Sequence, residues 1–173
     1  ISTCTYYLSN ALLAFSYFFM QTREMSDPQL PPLLRKCWMR LKTIFQKRVA
    51  IVGLTPDQYT ALRWLNELPE GAISQSTLKK LMFTDPNNIA GLMGRMEKLD
   101  LVERKTDASD RRRKLVYCTR KGKTLFKEAK LIATKLEEEV LSVLSSEEKV
   151  DFLGYLGEIN RYFHQGSASR PTD

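Results

Sequence analysis

The chain has 173 residues, a formal net charge of +7, and 43% hydrophobic and 27% charged side chains. This composition is typical of a folded, water-soluble domain. Its three cysteines lie far apart without a C-x-x-C pair, and it has a single histidine, which disfavours a disulfide framework, a metal site and histidine-based catalysis. We therefore expect a cytoplasmic protein that needs no cofactor and no metal.

The positive charge is concentrated in one segment. Residues 103–123 carry nine basic and three acidic side chains, whereas residues 124–173 carry six basic and nine acidic ones. A concentrated basic segment on a folded chain is typical of proteins that bind nucleic acid or another polyanion. The alternative is an ordinary charged loop in solvent.

The first twenty residues contain no charged side chain. Their apolar run, residues 11–20, is too short to span a bilayer, and no basic segment precedes it as in a signal peptide. We therefore expect no membrane partner. Residues 1–29 are interpreted as an added apolar arm outside the fold, which would be buried at a subunit interface.

A first helix is predicted over residues 30–53, where apolar side chains recur at three- and four-residue steps until Gly53 ends the pattern. A second helix begins with a capping box formed by Thr55 and Gln58. A short third helix follows its cap, Ser74.

The fourth predicted helix, capped by Asp85, has an unusual outer face. Its apolar stripe is regular, but the opposite face holds Asn87, Asn88, Ala90, Gly91, Gly94, Arg95 and Lys98. A glycine inside a helix costs about 1 kcal/mol relative to alanine, so a close approach to another surface would account for two of them. Asn and Arg also make bidentate contacts with adenine and guanine edges. The alternative is an ordinary exposed face with tolerated glycines.

Two short strands are predicted next, residues 101–105 and 114–118, joined into a β-hairpin by the charged sequence TDASDRRR. Thr119 caps a long helix, and Ser145 with Glu148 opens the last one. A helix, a short helix, a helix with small and amide-bearing surface residues and then a basic hairpin form the layout of a winged helix-turn-helix.

The predicted fold is therefore mainly α with a small β-hairpin. Residues 54–118 would form a winged helix-turn-helix that binds DNA. The flanking N- and C-terminal helices would comprise residues 30–53 and 119–164, and residues 165–173 would form a flexible tail. The second helix of the helix-turn-helix would enter the major groove, and a hairpin arginine would reach the minor groove.

Two stretches, LTPDQYTALRWL and ISQSTLKKLMFTDPNNIAGLMGRMEKLDLVERKTDASDRRRKLVYCTRKGK, carry a resemblance to a known family. They are similar to the multiple-antibiotic-resistance regulator (MarR) family. The resemblance extends over residues 33–163 and is densest over residues 54–123. Its most specific part is the hairpin, where Asp107, Asp110 and the arginines after them match the family's D-x-x-D-R-R pattern.

The resemblance implies a homodimeric, sequence-specific transcription repressor that is released by a small ligand. Its outer helices would form the dimerisation region, and its partner would be double-stranded DNA, as a palindromic operator. Arg112 would be the wing-tip residue in the minor groove, and Asp110 would orient the arginines. The residues expected to contact DNA are Ser74, Ser76, Thr77, Lys79, Pro86, Asn87, Asn88, Gly91, Arg95, Arg104, Asp110, Arg111, Arg112 and Arg113.

Two features depart from the family pattern. Asp100 stands where glycine is usual after the recognition helix, and Asp adopts the left-handed backbone of such a helix end less easily than Gly. Asn88 and Ala90 replace the usual hydroxyl residues of the recognition helix, so an operator sequence cannot be transferred from other members.

The family's usual effector site lies between the dimerisation and DNA-binding parts. Trp38, Phe45, Tyr59 and Trp64 are aromatic residues near that junction in the sequence, and packing in the core is the alternative for each. Some members sense oxidants through an N-terminal cysteine. Cys37 does not fall where those members carry theirs, so a small buried residue is the alternative to a sensor.

Two other classes of function compete with this interpretation. A winged-helix module that docks an acidic protein partner would also use a basic hairpin, but it has no need of the Asn, Gly and Arg face. An enzyme is disfavoured, because the sequence shows no phosphate loop, metal cluster or nucleophile–base pair.

Overall fold

The computed structural model describes residues 29–68, 72–107, 110 and 113–166. The predicted apolar arm up to residue 28, the tail from residue 167 and two predicted wing residues, Arg111 and Arg112, lie outside these described residues. The chain divides into two compact units, with the boundary between Thr43 and Ile44.

The described residues contain six α-helices, and each lies where the sequence predicts one. They are α1 (Leu30–Val49), α2 (Pro56–Glu67), α3 (Gln75–Leu81), α4 (Pro86–Lys98), α5 (Arg120–Leu141) and α6 (Ser146–Gly166), with a turn of 3-10 helix (Ala50–Val52) after α1. The last helix is longer than predicted, since it continues through Gly166 rather than ending at residue 164.

Capping side chains begin five of these helices, as the sequence predicts, and Ser145 with Glu148 forms the capping box of α6. Thr55 and Gln58 form the reciprocal capping box of α2. Ser74, Asp85 and Thr119 each accept a hydrogen bond from a backbone N–H in the first turn of α3, α4 and α5, respectively. These bonds satisfy donors that the helix itself leaves unpaired, and so they determine where each helix begins.

Three short strands form an antiparallel sheet in the order β1–β3–β2. The predicted hairpin consists of β2 (Val102–Thr106) and β3 (Lys114–Cys118), and β2 begins one residue later than predicted. Leu101 is buried and its N–H donates to the carbonyl of Met96 at 2.9 Å, so it belongs to the end of α4 rather than to the strand. The sequence did not predict β1 (Ala72–Ser74), which pairs with β3.

The buried core lies in the second unit, within residues 44–173. Side chains from α2, α3, α4, the sheet and α5 meet there. Its largest fully buried members are Val49, Leu62, Leu78, Met93, Met96, Leu101, Val102 and Val116. The core therefore holds α4 and the sheet in a fixed relation to each other.

The end of α4 is tied to the start of α5. Asp100 adopts a φ of +56°, the left-handed conformation expected where glycine is usual. Thr119 donates its N–H to the carbonyl of Leu101 at 3.1 Å and its hydroxyl to the carbonyl of Asp100 at 2.7 Å. A Cβ on Gly122 would lie 2.2 Å from the carbonyl oxygen of Leu101, so this crossing requires glycine.

Two helices expose apolar side chains. Trp38 on α1 is 60% exposed, and Tyr155 on α6 is 67% exposed. Among the α6 side chains that the structure describes, residues 146–163, none is buried. Extended apolar surface of this kind is typical of a protein–protein interface. No helix in the described ranges has both the length and the apolarity needed to cross a bilayer.

Candidate nucleic-acid interface

One face of α4 is fixed in the core. Ile89, Leu92, Met93 and Met96 are at most 5% exposed, and the two methionines are fully buried. Their three- and four-residue spacing places all four side chains on the same side of the helix. Burial of that stripe determines which residues of α4 face solvent.

The outer face of α4 combines exposed polar side chains with glycine. Apart from the adjacent backbone of α4 itself, a Cβ added to Gly94 would meet nothing within 4 Å, and one added to Gly91 would meet only a guanidinium nitrogen of Arg95, at 3.3 Å. Packing within the described chain therefore requires neither glycine. The exposed residues of this face include the predicted contacts Pro86, Asn87, Asn88, Gly91 and Arg95.

The cap of α4 also holds one of the exposed amides. Asp85 accepts the backbone N–H of Asn88 through Oδ1 at 2.8 Å, and its Oδ2 accepts a second hydrogen bond from Nδ2 of Asn88. The sequence predicted Asp85 only as a cap. The available signal for the second bond was the D-x-x-N spacing, which places an amide at the position where a capping box carries Glu or Gln.

A cleft of about 260 Å³ opens on the flank of this face. Asn88 and Arg95 line it from α4, Phe83 and Thr84 from the turn before α4, and Asp57 from the first turn of α2. The side of α4 between Asn88 and Arg95 is therefore accessible to a group that enters from solvent.

Helix α3 contributes exposed hydroxyls beside α4. Ser74 is 5% exposed, and its hydroxyl accepts the N–H of Thr77 at 3.0 Å and shares hydrogen bonds of 2.8 Å with the hydroxyls of Ser76 and Thr77. Ser76 and Thr77 are exposed, and Lys79 is half-buried. Ser74 is therefore the cap of α3 and bonds to two exposed hydroxyls, while its expected phosphate contact stays a prediction.

Arg104, expected in the wing, is paired with α4. Its Nε donates to Oε2 of Glu97 at 3.1 Å, and its Nη2 bonds to the same oxygen. This hydrogen bond is the main cause that lowers the pKa of Glu97. The pair links β2 to α4, while the contact of Arg104 with DNA stays a prediction.

Backbone hydrogen bonds close the base of the wing loop. The N–H of Asp107 donates to the carbonyl of Arg113 at 3.0 Å, and the N–H of Arg113 donates to the carbonyl of Asp110 at 2.9 Å. The Asp107 carboxylate lies 3.8 Å from the guanidinium of Arg113, which is 53% exposed. Arg111 and Arg112 lie outside the described residues, so the roles expected for them, and for Asp110 beside them, stay predictions.

Two lysines that were not predicted as contacts also lie on the hairpin. Lys105 pairs with Glu103 at 2.7 Å and lies over the ring of Tyr117, 5.2 Å from its centroid. Lys114 donates to Oγ1 of Thr106 at 2.7 Å. Both flank the arginine-rich segment in sequence, and that proximity could have marked them as further candidate contacts.

The aromatic residues considered for an effector lie in different environments. Phe45 and Tyr59 make an edge-to-face contact with centroids 5.1 Å apart, and Tyr59 stacks on Phe126 at 5.9 Å. Both pack against the core, as does Trp64, whereas Trp38 is exposed on α1. Three of the four, Phe45, Tyr59 and Trp64, therefore pack against the core, which was the alternative to effector binding.

The described cysteines differ in exposure. Cys37 is exposed on α1, so the expectation of a small buried residue is wrong for this chain. Cys118 is half-buried on β3, accepts a hydrogen bond from Nδ2 of Asn66 at 3.4 Å, and has a pKa raised by burial. The described residues contain no group of three or more His, Cys, Asp and Glu side chains that could hold a metal.

Known proteins share this sequence pattern. A model of the MarR family matches residues 52–113. The transcriptional regulator HosA of Escherichia coli O127:H6 is 32% identical over 126 residues, which cover 70% of this chain and 92% of HosA. The HTH-type transcriptional repressor NicR of Pseudomonas putida is 31% identical over 125 residues, 72% of this chain and 78% of NicR.

A solved structure shares the fold. BpsR of Bordetella bronchiseptica, whose DNA binding is regulated by 6-hydroxynicotinic acid, matches with a TM-score of 0.70 and 27% identity over 76% of this chain and 93% of BpsR. The predicted winged helix-turn-helix is thus confirmed, and these relatives are transcription regulators rather than enzymes. The chain belongs to the MarR family of transcription regulators.

Proposed function

We propose that the protein is a homodimeric repressor that places α4 in the major groove of a palindromic operator and its wing in the minor groove. The observation that carries this proposal is the outer face of α4, where Asn88 and Arg95 are exposed beside two glycines, of which Gly94 has an open Cβ position. Amide and guanidinium groups match adenine and guanine edges, and glycine lets a backbone come close to them.

The surroundings of α4 supply groups for the DNA backbone. The exposed hydroxyls of Ser76 and Thr77 and the amine of Lys79 would bind phosphates, which usually receive at least half of the hydrogen bonds in such an interface. Arg112 would enter the minor groove, where negative potential attracts arginine. Because these contacts release counterions, affinity should fall steeply as salt increases.

The exposed apolar side chains of α1 and α6 support dimerisation through the outer helices. Water-exposed aromatic residues on α6, such as Tyr155 and Tyr162, would be buried against a second copy. A two-fold dimer presents two α4 helices to half-sites about 34–36 Å apart, which is why a palindrome is expected. As a DNA regulator the protein would act in the cytoplasm.

A small-molecule effector is part of the proposal. NicR is a repressor, and the DNA binding of BpsR is regulated by 6-hydroxynicotinic acid, so ligand control occurs among similar proteins. A ligand would favour a dimer whose α4 helices have the wrong spacing for successive major grooves. The bonds from Thr119 to the end of α4 would transmit a displacement of α5 to the recognition helix.

The proposal is tested by changing the wing. Operator fragments are first selected from genomic DNA by the purified protein, and their affinity is then measured for the wild type and Arg112→Ala. We expect the substitution to weaken binding by about tenfold or more without lowering the melting temperature, because it removes the cation that is proposed to enter the groove.

The matched control is Lys127→Ala, which removes the same charge from an exposed position on α5. It should change operator affinity by less than about twofold, since one surface charge away from the contact has a small, salt-screened effect. Equal affinities of wild type and Arg112→Ala for the operator would refute the assignment of the wing.

A further inference from the structure

We infer that Asp85 is a positioning residue for base recognition, because its carboxylate holds the side-chain amide of Asn88 in one orientation. The inference rests on the proposed function, since it requires Asn88 to face base edges. Helix capping alone explains Asp85 as the N-cap of α4, and orientation of Asn88 adds a role in base specificity.

Both carboxylate oxygens of Asp85 accept hydrogen bonds from the same residue, Asn88. Oδ1 accepts the backbone N–H of Asn88 at 2.8 Å, which is the capping bond. Oδ2 accepts from Nδ2 of the same residue. Capping needs only the first bond. The second bond acts on an exposed side chain that would otherwise be free to rotate.

The chemistry of the pair fixes the direction of the amide. An ionised carboxylate only accepts hydrogen bonds, so it must face Nδ2 of Asn88 rather than Oδ1. One N–H of Nδ2 and the carbonyl Oδ1 then remain for other partners. A donor beside an acceptor is the arrangement that asparagine presents to adenine. Without the second oxygen, rotation about χ2, which is only weakly restricted in Asn, would exchange the donor and acceptor positions.

An acidic cap is electrostatically unfavourable at a position that would lie near DNA phosphates. Thr55, Ser74, Thr119 and Ser145 cap α2, α3, α5 and α6 with hydroxyls. A hydroxyl caps nearly as well as a carboxylate. At the start of a helix that enters a DNA groove, a carboxylate adds repulsion from phosphates that a hydroxyl would not. Orientation of Asn88 accounts for an acid at the cap nearest the proposed DNA contact.

The test is Asp85→Ser, which keeps a capping oxygen and removes the one that holds Asn88. Base preference is measured by sequencing the molecules bound from a library randomised around the selected operator. We expect the preference at one base pair per half-site to fall by about fivefold or more, which is the discrimination of one bidentate contact. Affinity for random-sequence DNA should not fall, because the substitution removes negative charge.

Three controls separate orientation from stability. Asp85→Thr should behave like Asp85→Ser, since both hydroxyls cap. Asp85→Ala should lower the melting temperature further, because it also removes the cap. In an Asn88→Ala background, Asp85→Ser should leave base preference unchanged, because the group that it orients is gone.

Each other outcome contradicts the inference. If Asp85→Ser selects the same bases as the wild type, or if its effect adds to that of Asn88→Ala, Asp85 does not act through Asn88. If Ser and Thr both unfold the protein, the second oxygen serves stability instead. A wild-type protein that binds no DNA selectively would refute the proposed function itself, which distinguishes the two failures.

Discussion

Helices α4 and α6 place their apolar side chains in opposite environments. The first buries Ile89, Met93 and Met96 in the core of its own chain and shows solvent a polar face. The second leaves Phe152 and Tyr155 exposed, and none of its side chains within residues 146–163 is buried. A helix with exposed aromatic residues lacks part of its packing in the single chain.

The difference distinguishes packing within the chain, which holds α4, from packing against a second molecule, which is proposed for α6. Burial of its apolar stripe within the chain fixes the position of α4 and leaves its outer face accessible to a second molecule. The exposed apolar surface of α6 is the one that the proposed dimer would bury. Substitutions in α4 should therefore change folding or DNA recognition, whereas those in α6 should change association.

The largest expected effect tests the anchoring of α4. Met93→Ala should lower the free energy of unfolding by about 2–5 kcal/mol, because it leaves a cavity under the helix. Denaturant titration at fixed protein concentration measures this. Asn87→Ala, on the exposed face of the same helix, should change it by less than about 0.5 kcal/mol. Similar losses in both variants would show that α4 is not held by this stripe.

A charge on the exposed apolar face of α6 should weaken association of the protein with itself. Leu153→Glu on α6 should weaken dimerisation by about 30-fold, roughly 2 kcal/mol, because a charge replaces an apolar contact. Sedimentation over a concentration series measures the dimer, and operator affinity should fall with it. Ser146→Glu adds the same charge at the exposed first turn of α6, where it is favourable, and should leave the dimer intact.

A smaller effect should separate folding from recognition within α4. Gly94→Ala should raise the free energy of unfolding by up to about 1 kcal/mol, since alanine is the better helix former and the added Cβ meets open space. The same methyl group should reduce operator affinity several-fold if the backbone approaches the bases. Higher stability with unchanged affinity would show that this glycine does not serve DNA contact.

The smallest effect concerns an ion-pair link between α2 and α5. Arg63 donates to Glu67 at 2.8 Å and Lys130 donates to it at 3.3 Å. The hydrogen bond from Arg63 is the main cause that lowers the pKa of Glu67. Because the folded pKa lies below the unfolded value of about 4.3, this stabilisation is present above that pH and is lost as pH falls through the folded pKa.

Glu67→Gln should therefore lower the free energy of unfolding by at most about 1 kcal/mol at pH 7, since the pair is partly exposed. The difference from wild type should shrink as pH falls below the unfolded value of about 4.3 and through the lowered pKa of the wild-type carboxyl. Melting curves recorded from pH 3 to pH 7 measure this. A difference that stays constant over the whole range would show that the charge of Glu67 is not the cause.

Local features of the fold could be predicted from the sequence, and non-local ones could not. The caps Thr55, Ser74, Asp85 and Thr119 were confirmed because a cap depends only on a few neighbouring residues. The strand β1 was missed because three residues form a strand only when a distant partner supplies the hydrogen bonds.

The same distinction applies to the candidate site. The exposed face of α4 followed from helical periodicity and is confirmed. The ion pair of Arg104 with Glu97 was not predicted because it joins two separate elements of the fold. The hydrogen bonds of Ser74 to Ser76 and Thr77 were not predicted because they depend on the direction of its hydroxyl. The exposure of Cys37 was mispredicted because a helical apolar stripe does not tell whether its own chain or another molecule covers it.

The proposed DNA-reading surface comprises α4 and the wing. Binding of the purified protein to a genomic fragment library, repeated over a salt series, tests it most directly. We expect enrichment of a few fragments that share a palindrome with half-sites about 10 base pairs apart, with affinity that falls steeply as salt rises. Equal binding to all fragments, or no binding at moderate salt, would contradict it.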